Sequence, residues 1–153
     1  MDDMDNASVI DAARSIATAA HTGQVDKTGH PYIEHPIRVS ERVVALFPDA
    51  PPEVVAAALL HDVIEDTPVT DDDLIAAGIP ASVVEAVEAV TKREGEPVER
   101  YFARVRSNPW AVMVKTADIA DNTDPARVAQ LDAETRDRLN TKYTRARALL
   151  NRE

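Results

Sequence analysis

The sequence predicts an all-α fold. Its 153 residues include only four glycines, and aromatic residues make up 4 %, a balance that favours helices over strands. Apolar residues recur at helical spacing in several segments, and no segment shows the alternation typical of a strand. A chain of this length can bury one compact core, so we expect a single helical domain over residues 1–153.

The first half of the chain is predicted to form three long helices. Apolar positions from Val9 onward recur at helical spacing, and Gly23 is a stop signal. After the loop VDKTGHPYIE, a helix begins at HPIRV, where Pro36 suits the first turn. Pro52 begins a third helix, which we expect to continue through AALLHDVIEDT, residues 57–67.

The second half is predicted to be helical as well. Thr70 and Asp73 resemble a capping box, so the acidic run 71–73 is interpreted as a helix start stabilised by the dipole and not as a metal site. Pro80 begins the helix ASVVEAVEAVT. Two further helices follow around VERYFARVR and WAVMVKTADIADN, and the last segment, DAETRDRLNTKYTRARALLNR, has an apolar stripe that includes Leu139.

The charge balance restricts the partners. A formal net charge of −10 repels nucleic acid and anionic membrane, and it repels phosphorylated substrates unless a metal or a local basic cluster reverses the field. There are no cysteines, which excludes disulfides and thiolate metal sites. No apolar run approaches the roughly 18–20 residues that span a membrane. The start MDDMDNAS is acidic and lacks an apolar h-region, so a cytoplasmic location is expected.

One polar cluster interrupts the apolar pattern of AALLHDVIEDT. At about 100° per residue, His61, Asp62, Glu65 and Asp66 fall within an arc of about 140° on a helix, opposite Leu60. Buried charge is costly unless it is paired or bound to a metal. The pattern therefore favours a metal or catalytic site on this face.

Two other segments carry residues of the same type. In VKTADIADN, Lys115, Asp118 and Asn122 share a helix face, and His35 lies at another helix start. Two imidazoles and two carboxylates from these segments could together hold one divalent cation. Mixed nitrogen and oxygen ligation without sulfur suits Mn, Fe, Co, Zn or Ni. Glu65 and Asp66 could then orient a water or transfer a proton.

Plainer interpretations of these residues stay open. His61 and Asp62 could form a buried pair without metal, and Glu65 and Asp66 could belong to a solvated face. Lys115 could lie near a substrate phosphate or pair with an acid.

Two arginines are equally ambiguous. Arg38 and Arg42 are one helical turn apart, and they could supply positive charge to a cleft or serve surface solubility.

The chain resembles the HD-domain metal-dependent phosphohydrolases, and more narrowly the alarmone hydrolase domain of RelA/SpoT-type proteins and the small stand-alone hydrolases related to them. The matching segments, in the order that the family has them, are AAHTGQ…TGHPYIEHPIRV, AALLHDVIEDT, AVTK and VKTADIADN. The combination of HDVIEDT with PYIEHP is specific, and the family's outline covers nearly all of the chain.

The resemblance implies a fold, a metal and a reaction. The fold is all-α, the ion is a divalent metal of the Mn²⁺ type, and the substrate is a nucleotide. By position, the family's metal ligands fall on His35, His61, Asp62 and Asp118, its catalytic acidic pair falls on Glu65 and Asp66, and its asparagine near the nucleotide falls on Asn122. Lys27, Tyr32 and Lys115 are further candidate substrate-binding residues. The implied reaction removes the 3′-pyrophosphate of guanosine tetra- or pentaphosphate, giving GDP or GTP and pyrophosphate.

The chain departs from the family's pattern near the nucleotide. Asp26 stands where the family usually has a basic residue packed on the purine, and His30 replaces a usual glutamate. In the third motif, Ile119 and Asp121 replace an arginine and a histidine. An anion in place of a stacked cation should weaken polyphosphate binding. Two alternatives therefore stay open: an HD phosphohydrolase acting on another nucleotide phosphoester, or a non-catalytic nucleotide- or partner-binding HD domain.

Overall fold

The structure, a computed structural model, describes residues 6–152. The acidic residues 1–5, which belong to the segment used to argue against a secretory signal, lie outside this range. Within that range the chain forms ten helices and no strand, which confirms the all-α prediction. The helices are α1 (Asn6–Ala20), α2 (Glu34–Leu46), α3 (Pro52–Leu60), α4 (Val63–Asp66), α5 (Asp71–Ala76), α6 (Ala81–Val90), α7 (Val98–Arg106), α8 (Pro109–Asn122), α9 (Pro125–Val128) and α10 (Ala133–Leu150). Among these helices, none is both long and apolar enough to cross a membrane.

Helix α3 lies at the centre of the core. Its sequence, PEVVAAALL, is apolar almost all round, and the six residues Val54 and 56–60 are buried. Helices α1, α2, α6 and α8 all pack against it. A helix buried on every side carries whatever follows its last residue into the interior, and here the next residue is His61.

Several helix boundaries follow the predicted signals. Pro52 is the first residue of α3, and α1 ends at Ala20, just before Gly23, whose φ is 84°. The capping box is present: the Thr70 hydroxyl accepts from the Asp73 amide, and the Asp73 carboxylate accepts from the Thr70 amide.

The prediction of one continuous helix through residues 57–67 was wrong. α3 ends at Leu60, Asp62 has φ −105° and ψ 1°, and a separate helix, α4, begins at Val63. At the break, the ring of His61 turns back so that Nδ1 donates to the carbonyl oxygen of Ala58, 2.7 Å away. This bond ties the imidazole to the end of α3 and aims its other nitrogen away from the helix.

Helix α9 was not predicted. The Asp124 carboxylate accepts from the Ala126 amide, and Pro125 is the first helical residue. An Asp-Pro pair is a helix-start signal, but a helix of four residues carries too little periodicity to be recognised.

Candidate metal and catalytic site

His61 is buried with one nitrogen unpaired. A carbonyl oxygen can only accept, so Nδ1 of His61 carries the proton that it donates to Ala58. Nε2 lies 3.0 Å from Asp62 Oδ2 and 3.4 Å from Asp118 Oδ1, yet neither contact has the geometry of a hydrogen bond. A buried nitrogen beside two carboxylates attracts positive charge, which can be a proton or a metal ion.

His35, on α2, faces the same point. Its Nε2 lies 2.9 Å from Asp118 Oδ1 and 3.9 Å from Asp62 Oδ2, and its Nδ1 lies 2.6 Å from Asp121 Oδ2. The structure thus brings together all four candidate ligands; we call His35, His61, Asp62 and Asp118 the histidine–aspartate cluster. Ligand atoms of His35, His61 and Asp118 lie within 4.8 Å of one another.

The electrostatics of the cluster favour bound positive charge. Burial opposes ionisation of Asp62, but the imidazole of His61 lowers the pKa of that carboxyl to about 2. Burial likewise opposes charge on Asp118, yet Lys115 and the two imidazoles hold its pKa well below the usual range. The same carboxylates raise the pKa of His61 well above normal despite its burial. The chemistry of the donor set, with two imidazoles and two ionised carboxylates, fits a divalent cation.

Helix α8 surrounds Asp118 with two more polar groups. Lys115 Nζ lies 3.0 Å from Asp118 Oδ2, and Asn122 Nδ2 donates to Asp118 Oδ1 at 3.1 Å. Both residues also line the cavity described below, so their predicted contacts with a substrate stay predictions. Lys115 was expected either to lie near a substrate phosphate or to pair with an acid, and the structure shows it paired with Asp118.

Tyr32, in the loop before α2, contacts the proposed ligand Asp62. Its hydroxyl donates to Asp62 Oδ2, and its ring packs 5.0 Å from that of His21. His21 in turn bonds Gln24, whose amide donates to the Asp66 carbonyl oxygen at 3.1 Å. The segment HTGQ therefore ties the loop after α1 to Asp66, the last residue of α4.

Glu65 and Asp66, the acidic pair, lie beside the cluster. One oxygen each of Asp62, Glu65 and Asp66 comes within 4.8 Å of the others. Glu65 Oε1 accepts from the backbone amide of Lys92 at 2.8 Å. Partial burial and the neighbouring carboxylates Asp62 and Glu65 raise the pKa of Asp66 to about 6.

A cavity of about 360 Å³ opens over these groups, within the range of small-molecule sites. Every lysine of the chain lines it: Lys27, Lys92, Lys115 and Lys142. Partial burial and the ammonium groups of the other three lower the pKa of Lys142. A chain of net charge −10 thus concentrates its lysines at one place. Together with Arg127 they balance the five carboxylates of the same lining, so a bound dication would make the cavity attractive to an anion.

Asp26 has a structural task in the loop before α2. Its carboxylate accepts from the amides of Thr28 and His30, at 2.8 and 3.0 Å, and its other oxygen lies 3.8 Å from the guanidinium of Arg127. The anion at this position is therefore turned toward the loop and a cation, and Arg127 itself lines the cavity.

Sequence reasoning missed several residues of the site. Lys92 is the last residue of the matching segment AVTK, to which no role was assigned. Lys142 lies on the predicted last helix, three residues after Leu139 of its apolar stripe. Asp121 and Arg127 had no local signal beyond the departure noted at position 121. Arg38 and Arg42, left undecided, both bond Asp121 and so contribute to the buried network behind His35.

Comparison with known proteins identifies the family of the chain. The sequence model of the HD domain matches residues 13–133. That span is well over half of the chain, and the chain belongs to the HD-domain family.

The chain is similar to named bacterial proteins and to a solved structure. The chain is 38 % identical over 120 residues to a guanosine-3′,5′-bis(diphosphate) 3′-pyrophosphohydrolase of Haemophilus influenzae, a match that covers 73 % of this chain and 17 % of the relative. The protein of the same name in Vibrio cholerae is 46 % identical over 120 residues, with the same coverage. The chain therefore spans about a sixth of the length of these relatives. A structure described as a metazoan ortholog of SpoT that hydrolyses ppGpp matches with a TM-score of 0.79 and 25 % identity, over 95 % of this chain and 86 % of that one.

Proposed function

We propose that this chain is a metal-dependent nucleotide pyrophosphohydrolase that removes the 3′-pyrophosphate of guanosine tetra- or pentaphosphate, with Mn²⁺ as its metal. The observation that carries the proposal is the cavity, where all four lysines of an acidic chain surround the histidine–aspartate cluster and the acidic pair. The names of the two bacterial relatives and the description of the metazoan structure support this substrate class.

In this proposal His35, His61, Asp62 and Asp118 hold the metal. When bound, the ion would acidify a water molecule and neutralise charge on a phosphoryl group. Tyr32 keeps Asp62 in place through its hydroxyl, and Lys115 keeps Asp118 ionised.

The acidic pair would handle protons. The water oxygen forms a bond to the phosphorus next to the 3′ oxygen, and the bond between that phosphorus and the 3′ oxygen breaks. Glu65 or Asp66 accepts a proton from the attacking water, and the acidic pair delivers that proton to the leaving 3′ oxygen. A carboxyl such as Asp66, with a pKa of about 6, is suited to exchange protons near neutral pH.

The lysines would bind the phosphates. Lys27, Lys92 and Lys142 lie on exposed parts of the cavity wall, from the loop before α2, the segment after α6 and helix α10. Ammonium groups on three separate segments can contact more than one phosphate of the same substrate, and each charged hydrogen bond contributes about 1.5–3 kcal/mol. Asn122 and Tyr32 complete the proposed contacts.

A different nucleotide is the second candidate, and Asp26 favours it. The carboxylate of Asp26 is held by its own loop and by Arg127, so no cation projects from position 26 to stack on a purine. An adenine alarmone, or another nucleotide phosphoester, would use the same metal and water chemistry.

Separating metal loss from catalytic loss tests the proposal. Asp62→Ala and Asp118→Ala should lose Mn²⁺ binding and pyrophosphate release together, because both remove a ligand. Glu65→Gln should bind Mn²⁺ normally and lose turnover, because only proton transfer is affected. A fully active Glu65→Gln would show that the acidic pair has another role, and metal bound equally by Asp62→Ala would refute the ligand assignment.

A further inference from the structure

We propose that Asp121 is a positioning residue that fixes the ring of His35 for metal binding, and that Arg38, Arg42 and Arg127 hold Asp121 in that position. The inference deepens the proposed function and rests on its metal site. Asp121 lies on α8, three residues after the proposed ligand Asp118, and it is fully buried at 0 % exposure.

The contacts of Asp121 converge from two helices. His35 Nδ1 lies 2.6 Å from Oδ2, Arg38 Nε donates to both oxygens at 3.0 and 3.2 Å, and Arg42 Nε donates to Oδ1 at 3.2 Å. From α9, Arg127 Nη1 donates to Oδ2 at 3.3 Å and to the backbone oxygen of Asp121 at 3.1 Å.

The carboxylate selects one nitrogen of His35 for the metal. An ionised carboxylate only accepts hydrogen bonds, so Nδ1 of His35 must carry a proton. Nε2 faces the cluster: it also donates to Asp118 Oδ1, at 2.9 Å, and lies 3.9 Å from Asp62 Oδ2. Metal binding at Nε2 would release that proton, whereas the proton on Nδ1 stays with Asp121. A histidine held by a carboxylate on its second nitrogen has a fixed orientation and a fixed tautomer, which strengthens metal binding.

The arginines offset the energetic cost of burying the Asp121 carboxylate. His35, Arg38 and Arg42 are spaced by three and four residues, so one face of α2 brings an imidazole and two guanidinium groups to the same anion. An unpaired buried carboxylate would be strongly destabilising, whereas a guanidinium remains charged at every relevant pH. Burial opposes charge on Asp121, but the bonds from His35 and Arg38 hold its pKa below the usual range.

A purely structural interpretation makes a different prediction. If Asp121 only anchored α2 to α8, its loss would lower stability and leave the Mn²⁺ affinity of the folded protein unchanged. If it positions His35, the affinity of folded protein must fall as well.

The first test compares Asp121→Asn with Asp124→Asn. Asp124 accepts from Arg42 Nη2 at 2.5 Å and its substitution removes the same charge, but no contact joins it to His35. With folding checked by circular dichroism, titration calorimetry with Mn²⁺ should show a Kd about 10- to 100-fold higher for Asp121→Asn and near wild type for Asp124→Asn. Equal affinity of Asp121→Asn and wild type would overturn the inference alone. Absence of Mn²⁺ binding by the wild type would instead refute the metal site of the proposed function, and this inference with it.

The second test needs no variant, and so remains decisive if Asp121→Asn fails to fold. Long-range ¹H–¹⁵N spectra of wild-type protein loaded with diamagnetic Zn²⁺ report which nitrogen of His35 bears hydrogen. The expected result is a protonated Nδ1 and a metal-shifted Nε2. The reverse assignment, or a rapidly averaging ring, would contradict the inference.

Discussion

Lys115 and Asp118 form a buried ion pair within one turn of α8, with Nζ 3.0 Å from Oδ2. The same carboxylate receives His35 and Asn122 on its other oxygen. One lysine therefore balances the carboxylate at the centre of the proposed metal site.

Lys115→Met should destabilise the metal-free protein by about 3–5 kcal/mol, because it leaves Asp118 buried without its cation. Mn²⁺ should recover a large part of this loss, since a dication next to Asp118 replaces the missing charge. Urea unfolding with and without Mn²⁺ measures both effects. If Mn²⁺ left the loss of stability unchanged, Asp118 would not be a ligand of the metal.

The raised pKa of Asp66 predicts a pH dependence of stability. A carboxyl whose folded-state pKa of about 6 exceeds its ordinary 3.8 stabilises the fold at low pH, and this contribution disappears as the pH rises through about 6. Asp66→Asn removes the titration, so its stability relative to wild type should increase between pH 4 and pH 7 in metal-free protein. A difference that stays constant over this range would argue against the shift. Bound Mn²⁺ should reduce the difference, because a nearby dication favours the carboxylate.

Lys142→Gln should raise the KM for the nucleotide about tenfold, because it removes one charged contact with phosphate. The effect should shrink at high salt, as electrostatic interactions are screened. Arg145→Gln is the matched control: it lies on the same helix and removes the same charge, but it pairs with Glu99, away from the cavity. Steady-state pyrophosphate release at two salt concentrations measures the effect, and equal KM values for the two variants would contradict a phosphate contact at Lys142.

Arg104 stabilises the end of α6 near the site. Its guanidinium donates to the carbonyl oxygens of Glu88, Ala89 and Thr91 and pairs with Glu96 at 2.5 Å. Arg104→Met leaves these acceptors unpaired and should cost about 2–4 kcal/mol.

The comparison variant for Arg104 is Arg145→Met. Arg145 and its partner Glu99 are 59 % and 55 % exposed, so this substitution should cost at most about 0.5 kcal/mol. Guanidinium chloride unfolding of both variants gives the difference, and similar losses would show that the contacts of Arg104 contribute little.

Local patterns were sufficient to predict most of the fold. Proline at helix starts, the Thr70–Asp73 capping box and apolar periodicity each act within a few residues, so the sequence displays them directly. The break at His61 was missed because helical spacing continues through it, and only the bond from the ring to Ala58 reveals the turn.

The residues of the site likewise fall into those that the sequence could predict and those that it could not. His61, Asp62, Glu65 and Asp66 stand within six residues of one another, and the family motif adds His35 and Asp118. The contacts of Asp121 with α2 join residues 79 to 86 positions apart along the chain, at Arg42 and His35. Such pairs have no spacing rule, and the gathering of four scattered lysines at one cavity is likewise a property of the fold and not of any segment.

Product analysis tests the central claim most directly. Purified protein loaded with Mn²⁺ would be incubated with guanosine tetraphosphate, its adenosine analogue and common nucleoside mono-, di- and triphosphates, with Asp62→Ala as the control, and products separated by anion-exchange chromatography. The account predicts release of pyrophosphate from a 3′-pyrophosphorylated nucleotide by wild type and none by Asp62→Ala, with the preferred base reporting the effect of Asp26. Cleavage of another phosphoester without turnover of either alarmone would contradict the proposed substrate, and no turnover of any compound by Mn²⁺-bound protein would contradict a catalytic role.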